Sequence, residues 1–160
     1  MAIPTKKIAP CLWFDNRIEE AVNFYVALFG GKILNTAYYG EAGPLPKGTG
    51  LTMIFTLHDE QFMALNGGQQ IPFTEAVSLI VTCRDQAEID KYWNALTADG
   101  GQEGQCGWLK DKYGLSWQIA PAVMASLITD KDPEKAKRTM QAMMTMRKLD
   151  LAALEKAHAG

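Results

Sequence analysis

Histidines and paired cysteines are scarce in this sequence. Its 160 residues include only two histidines, His58 and His158, so a histidine-based metal centre or a histidine-activated nucleophile has few candidates. The three cysteines, Cys11, Cys83 and Cys106, are widely spaced and form neither a disulfide framework nor a C-x-x-C pair. We interpret them as buried or half-buried thiols, and a nucleophilic role for Cys11 or Cys106 stays an open alternative.

Long apolar runs and an excess of one charge sign are also missing. No stretch reaches the length of a membrane span, and no apolar run follows the first lysines, which predicts a cytoplasmic protein without membrane contact. The net charge of −2 and the pI near 5.7 give no electrostatic footprint for nucleic acid. The lysines and arginines after residue 130 alternate with acidic residues, which is typical of a solvated helix face.

The pattern that is present is a repeated order of strands and one helix. The first copy predicts a strand at 7–14, a helix after Asp15–Asn16, and strands at 32–39, 51–58 and 61–66. The second predicts a strand at 76–83, a helix at 85–98, and strands at 103–109 and 115–119. Asp15 or Asn16 is the expected cap of the first helix, and a glycine pair ends each helix. The order favours an α+β fold of two βαβββ modules.

We predict one domain over residues 1–160, with modules at 5–68 and 74–121 and a helical tail at 122–160. Pro133 should begin a tail helix, and Asp150 should open a final short one. The first tail helix has an apolar stripe that more often signals packing than a partner surface, at Ala136, Met140, Met143 and Met144.

Several short segments carry a resemblance to a known superfamily. They are PCLWFD at 10–15, EAVNFY at 20–25, FMALNGG at 62–68, GWLKD at 107–111 and WQI at 117–119. Over residues 7–121 the chain resembles the vicinal-oxygen-chelate superfamily, which includes glyoxalase I, extradiol dioxygenases, and fosfomycin and bleomycin resistance proteins. Within it the chain is similar to the PhnB-like family, often labelled 3-demethylubiquinone-9 3-methyltransferase. The resemblance implies curled, mostly antiparallel sheets around a cavity and a homodimer, with residues 133–157 in or beside its interface.

The resemblance also implies four metal-ligand positions, which this chain does not fill. They fall among Ala9–Cys11, within 62–66, at or beside Ser78, and at Gln118, where metal enzymes of the superfamily carry His or Glu. We therefore expect no functional metal and no other cofactor, and the catalytic residues, if any, are unknown.

Aromatic residues on the predicted strands suggest an apolar cavity, with core and dimer packing as the alternative. The candidate lining residues are Cys11, Trp13, Tyr38, Asn66, Cys106, Trp108, Trp117 and Gln118. The sequence thus favours a protein that binds an apolar or aromatic small molecule. The alternatives are a metal-dependent lyase or dioxygenase-like enzyme, and a methyltransferase as the family label states. The label has little support, because no glycine-rich turn joins a strand to the start of a helix.

Overall fold

The computed structural model describes residues 3–160 and separates the chain into two units between Pro72 and Phe73. This boundary lies inside the predicted junction between the modules, and the helical tail belongs to the second unit. That the chain forms one domain stays a prediction.

The first unit is a four-stranded sheet with one helix. Its elements are β1 (Cys11–Phe14), α1 (Ile18–Phe29), β2 (Gly31–Tyr38), β3 (Gly50–Leu57) and β4 (Glu60–Asn66). The strand order is β1-β4-β3-β2, with β1 parallel to β4 and the other neighbours antiparallel. Five residues of α1 are buried, namely Ile18, Ala21, Val22, Tyr25 and Phe29.

The predicted cap of α1 is wrong. Arg17 occupies the N-cap position and makes no capping hydrogen bond with its side chain. Asn16 adopts a positive φ of 52°, and its backbone N–H donates to Asn66 Oδ1 at 3.4 Å. At the other end of the helix, a Cβ on Gly31 would lie 1.9 Å from the Thr56 carbonyl oxygen, so only glycine permits this pairing of β2 with β3.

The second unit repeats the same order with shorter strands. Its elements are β5 (Ser78–Cys83), α2 (Gln86–Thr97), β6 (Gln102–Glu103), β7 (Trp108–Lys110) and β8 (Ser116–Pro121). The order is β5-β8-β7-β6, with β5 parallel to β8. The two four-stranded sheets and the helices confirm the predicted α+β class with mostly antiparallel pairing.

The single strand predicted at 103–109 is divided into β6 and β7. Cys106 and Gly107 adopt positive φ values of 57° and 84°, which turn the chain between the two strands. The backbone N–H groups of these residues donate to Met146 O and Arg147 O, each at 2.8 Å. The turn is therefore one of the points at which the tail is attached.

The tail contains one helix more than the sequence predicted. Its helices are α3 (Met124–Ile128), which was not predicted, α4 (Pro133–Met144) and α5 (Leu151–Ala159). Met124, Leu149 and Leu154 form a buried cluster. The predicted stripe of α4 packs only in part, because Met140 and Met144 are exposed. None of the helices within residues 3–160 is long and apolar enough to cross a membrane. The homodimer stays a prediction.

A buried carboxylate fixes the hairpin between β7 and β8. Asp111 is 2% exposed, and its Oδ1 accepts hydrogen bonds from the backbone N–H groups of Tyr113 and Leu115 at 2.9 and 3.1 Å. Its Oδ2 accepts from Trp117 Nε1 at 2.8 Å. A single carboxylate thus ties the turn to a side chain of the following strand.

Replacing Asp111 by Asn should destabilise the protein by about 1–3 kcal/mol, because an amide N–H₂ would face either the indole N–H or a backbone N–H. Chemical denaturation followed by circular dichroism measures the change in the free energy of unfolding. Asp99→Asn is the matched control, since Asp99 is 79% exposed and its positive φ also suits asparagine. Equal stability of the two variants would contradict this role of Asp111.

Candidate functional site

The second sheet has one face covered by α2 and one face without a helix of its own module. Residues two apart on a strand point to the same side, so the buried Leu109, Trp117 and Ile119 lie on the α2 side. The other side, the open face, carries more polar side chains. They are Ser78, Ile80, Trp108, Lys110, Ser116 and Gln118.

Strand register groups four of these side chains. Trp108 lies opposite Gln118, and Lys110 lies opposite Ser116, across the antiparallel pair of β7 and β8. Directly opposed residues have Cβ atoms about 4.5–5.5 Å apart, so the four form one patch. We call Trp108, Lys110, Ser116 and Gln118 the quartet. Ser78 extends it on β5, where it pairs with Ser116.

A cavity of about 190 Å³ lies at the edge of the quartet. Trp108, Lys110 and Ser116 line it, together with Glu75 and Glu103. Its volume is below the roughly 300–1,000 Å³ of sites for drug-sized molecules, so it suits a ligand about the size of one ring.

The charged groups of this cavity are paired. The Lys110 ammonium contacts the Glu75 carboxylate. The hydrogen bond from Lys110 and a backbone hydrogen bond lower the pKa of Glu75 below its usual value. Glu103 accepts a hydrogen bond from Trp93 Nε1 at 3.0 Å and lies 3.7 Å from the Arg147 guanidinium. The cavity therefore contains two carboxylates, each next to a cation.

One hydroxyl of the quartet is buried without a hydrogen-bond partner. Ser116 is 1% exposed, and its Oγ contacts no donor or acceptor within residues 3–160. Thr52 Oγ1, on the first sheet, is in the same condition. An unsatisfied buried hydroxyl costs about 1–3 kcal/mol, so a bound molecule that supplies a partner to Ser116 would recover part of this energy.

The two metal-ligand positions implied for the second module are joined by a neutral hydrogen bond. Gln118 Nε2 donates to Ser78 Oγ at 2.8 Å. Neither group is the imidazole or carboxylate that a divalent metal requires. Within residues 3–160 no three His, Cys, Asp or Glu side chains form a group that could hold a metal ion. The residues of this chain do not fit the metal that the superfamily implies.

Asn66 and Trp117 lie away from the open faces of their sheets. Asn66 is 1% exposed, and its Nδ2 donates to Gly50 O at 3.0 Å while its Oδ1 accepts from Gly68 N at 3.4 Å. Its amide therefore joins the start of β3 to the loop after β4. Trp117 is 2% exposed and bonded to Asp111 on the α2 side. Neither side chain therefore lies on the open face of its own sheet.

Trp13 and Cys11 lie on the face of the first sheet opposite α1. Trp13 Nε1 donates to Gln69 O at 2.7 Å, and its ring packs so closely on Gly67 that a Cβ there would lie 2.0 Å from it. Cys11 is exposed, and partial burial of its thiol raises its pKa, which disfavours the thiolate that a nucleophile needs.

The remaining candidates lie at a strand end, in turns and in the tail. Tyr38 is 55% exposed at the end of β2, which is an edge strand. Cys106 lies in the turn between β6 and β7, with its Sγ 3.9 Å from Met144 Sδ. His58 is exposed in the turn between β3 and β4, and His158 Nε2 lies 3.0 Å from Asp130 Oδ2 in the tail.

Of the eight predicted residues, the structure brings Trp108 and Gln118 together on the open face. Sequence reasoning missed Lys110, Ser116 and Glu75. The first two could have been found, because they lie two positions from Trp108 and Gln118 and so share their face.

The side chains at the implied ligand positions predict that the protein holds no divalent metal. Protein purified without chelator should contain far less than one divalent ion per chain, and excess EDTA should leave its melting temperature unchanged. Elemental analysis and differential scanning fluorimetry test this. A stoichiometric zinc, iron or manganese would overturn our account of the ligand positions.

Comparison with known proteins identifies the family of the chain. The sequence profile of the family described as 3-demethylubiquinone-9 3-methyltransferase matches residues 6–120, which end before α3. The PhnB protein from Bacillus cereus is 38% identical and covers 73% of this chain and 100% of its own, with a TM-score of 0.68. Protein PA1353 from Pseudomonas aeruginosa is 20% identical and covers 73% and 98%, with a TM-score of 0.61.

A more distant neighbour shares the fold alone. The fosfomycin resistance protein FosX from Listeria monocytogenes, in complex with Mn(II) and sulfate, is 10% identical and covers 73% of this chain and 90% of its own, with a TM-score of 0.51. No curated protein gives a significant match to the chain. The profile and the Bacillus cereus protein confirm the resemblance seen in the sequence. The chain belongs to the 3-demethylubiquinone-9 3-methyltransferase-like, or PhnB-like, family of the vicinal-oxygen-chelate superfamily, in which the methyltransferase name is a family label.

Proposed function

We propose that this protein binds a small organic molecule on the open face of its second sheet and that binding requires no metal. One observation carries the proposal. Ser116, whose buried hydroxyl has no hydrogen-bond partner, lines a cavity together with Trp108 and Lys110. Apolar walls with a few convergent polar groups are typical of small-molecule sites.

Each side chain of the quartet would make a different kind of contact with such a molecule. The Trp108 indole provides a flat apolar surface, and Lys110 and Ser116 provide polar contacts on the same face. Gln118 already donates to Ser78, and this hydrogen bond fixes the position of its amide at the edge of the quartet. The metal-dependent alternative lacks such support, because within residues 3–160 no three His, Cys, Asp or Glu side chains form a group that could hold a metal ion.

Ligand binding should be visible in the fluorescence of Trp108 and in the melting temperature. A screen of aromatic acids and quinones should yield compounds that quench tryptophan emission. They should also stabilise the protein, by roughly 2.7 kcal/mol at one hundred times the dissociation constant. Trp108→Leu should abolish the quenching and weaken binding.

Trp13→Leu is the matched control for this experiment, because Trp13 is a half-exposed indole on the first sheet. That variant should keep its ligand response. A response that survives Trp108→Leu and disappears in Trp13→Leu would place binding elsewhere, and a screen without any response would count against the proposed function.

Ser116→Ala should separate stability from binding. Removing the unsatisfied hydroxyl should raise the free energy of unfolding of the ligand-free protein by about 1 kcal/mol. The same change should weaken a polar ligand by about 2- to 10-fold, the range that one hydrogen bond gives. Denaturation and calorimetric titration measure the two effects.

Thr52→Val provides the comparison, because it removes the other unpartnered buried hydroxyl. It should also stabilise the protein, and it should leave ligand affinity unchanged. If Ser116→Ala binds the ligand as tightly as the parent protein does, Ser116 is not a contact of the ligand.

A further inference from the structure

Lys110 is the cationic residue among those that line the cavity of the second unit. Its ammonium contacts Glu75, whose side chain is 64% exposed in a turn before β5. An ion pair with a partner this exposed contributes little to stability, because water solvates the Glu75 carboxylate well when it is released. The carboxylate of another molecule can therefore replace Glu75 at small cost.

The second carboxylate of the cavity does not compete for Lys110. Glu103 accepts a hydrogen bond from the Trp93 indole and lies near Arg147, so its charge is already balanced. Displacing Glu75 from Lys110 would leave the ammonium without an anion beside the cavity. That arrangement favours an anionic ligand over a neutral or cationic one.

Ser116 gives the anion a second contact. It lies opposite Lys110 in the register of β7 and β8, and its hydroxyl has no acceptor of its own. A carboxylate presents two oxygens and only accepts hydrogen bonds, so one oxygen can accept from Lys110 and the other from Ser116.

Trp108 sets the shape of the rest of the ligand. It lies two residues before Lys110 on the same face, and it lines the cavity. A flat ring stacks on such a surface more favourably than a chain does, because it loses little conformational freedom on binding. The volume of about 190 Å³ limits the ligand to about one ring beside its acidic group.

We propose that the ligand is an aromatic carboxylate, whose ring lies against Trp108 and whose carboxylate displaces Glu75 from Lys110 and accepts from Ser116. This inference rests on the proposed function and names the ligand class for the same site. The Glu75 carboxylate then competes with the ligand for the Lys110 ammonium, and it contacts that ammonium when no ligand is bound.

Benzoate and benzamide are the probes that test the charge requirement, because they share a ring and nearly the same shape. Ligand-observed NMR and calorimetry on the full chain should show benzoate binding at least about 10-fold more tightly, as expected for a hydrogen bond to a charged group. Added salt should weaken the binding of benzoate and leave the binding of benzamide unchanged.

Lys110→Met should remove the preference for benzoate. Lys148→Met is its matched control, since Lys148 pairs with Asp90 at 2.7 Å and does not line the cavity. That variant should keep the preference. Circular dichroism spectra of both variants confirm that each is folded before binding is compared.

Glu75→Gln tests the competition directly. It should strengthen benzoate binding by about 1.5- to 5-fold, which corresponds to the energy of an exposed ion pair. The affinity for benzamide should stay unchanged. Asp90→Asn, which frees Lys148 and changes the net charge equally, should have no effect on either compound.

The outcomes separate this inference from the proposed function. Equal binding of benzoate and benzamide, or a preference that survives Lys110→Met, overturns the ligand class while a binding site remains. Weaker benzoate binding in Glu75→Gln overturns the competitor role of Glu75. If the wider screen finds a neutral ligand and benzoate does not bind, the ligand class fails alone; if no compound binds, both proposals fail.

Discussion

The hydrogen bond between Asp111 and the Trp117 indole decides which side chains of the second sheet face the cavity. It holds Trp117 on the α2 side, and the alternation of a strand then turns Ser116 and Gln118 to the open face. A slip of one residue would exchange the two sets and bury the polar groups under the helix. The same carboxylate closes the turn that pairs Lys110 with Ser116. The candidate site therefore depends on a residue that does not line its cavity.

The unpaired hydroxyl on the open face lowers the stability of the protein, as is common at binding sites. A sheet selected only for stability would satisfy or remove the buried hydroxyl of Ser116, since an unpaired hydroxyl opposes folding. The tail, in contrast, is well secured. Gln86 donates to Leu149 O and accepts from Leu151 N, and Lys148 pairs with Asp90, so the tail has a fixed place on the second unit.

The sequence predicted the elements well and the side-chain directions poorly. Apolar spacing found α1 and α2, because a buried helix face repeats every three to four residues over several turns. It missed α3, which has only five residues. Trp117 and Gln118 are consecutive on β8 and point to opposite faces, but the sequence alone does not show which of the two faces the cavity, so both were predicted to line it. Asn66 was predicted to line the cavity because nothing in the sequence indicates that its amide bonds to the backbone of Gly50 and Gly68.

A direct test of the central claim follows the four tryptophan indole N–H resonances by two-dimensional NMR during a titration with benzoate. Single tryptophan-to-phenylalanine variants assign the resonances. Our account predicts that the Trp108 resonance moves with saturating ligand while the Trp117 resonance, hydrogen-bonded to Asp111 on the other face, stays in place. A Trp108 resonance that does not move while that of Trp13 does would contradict binding on the second sheet.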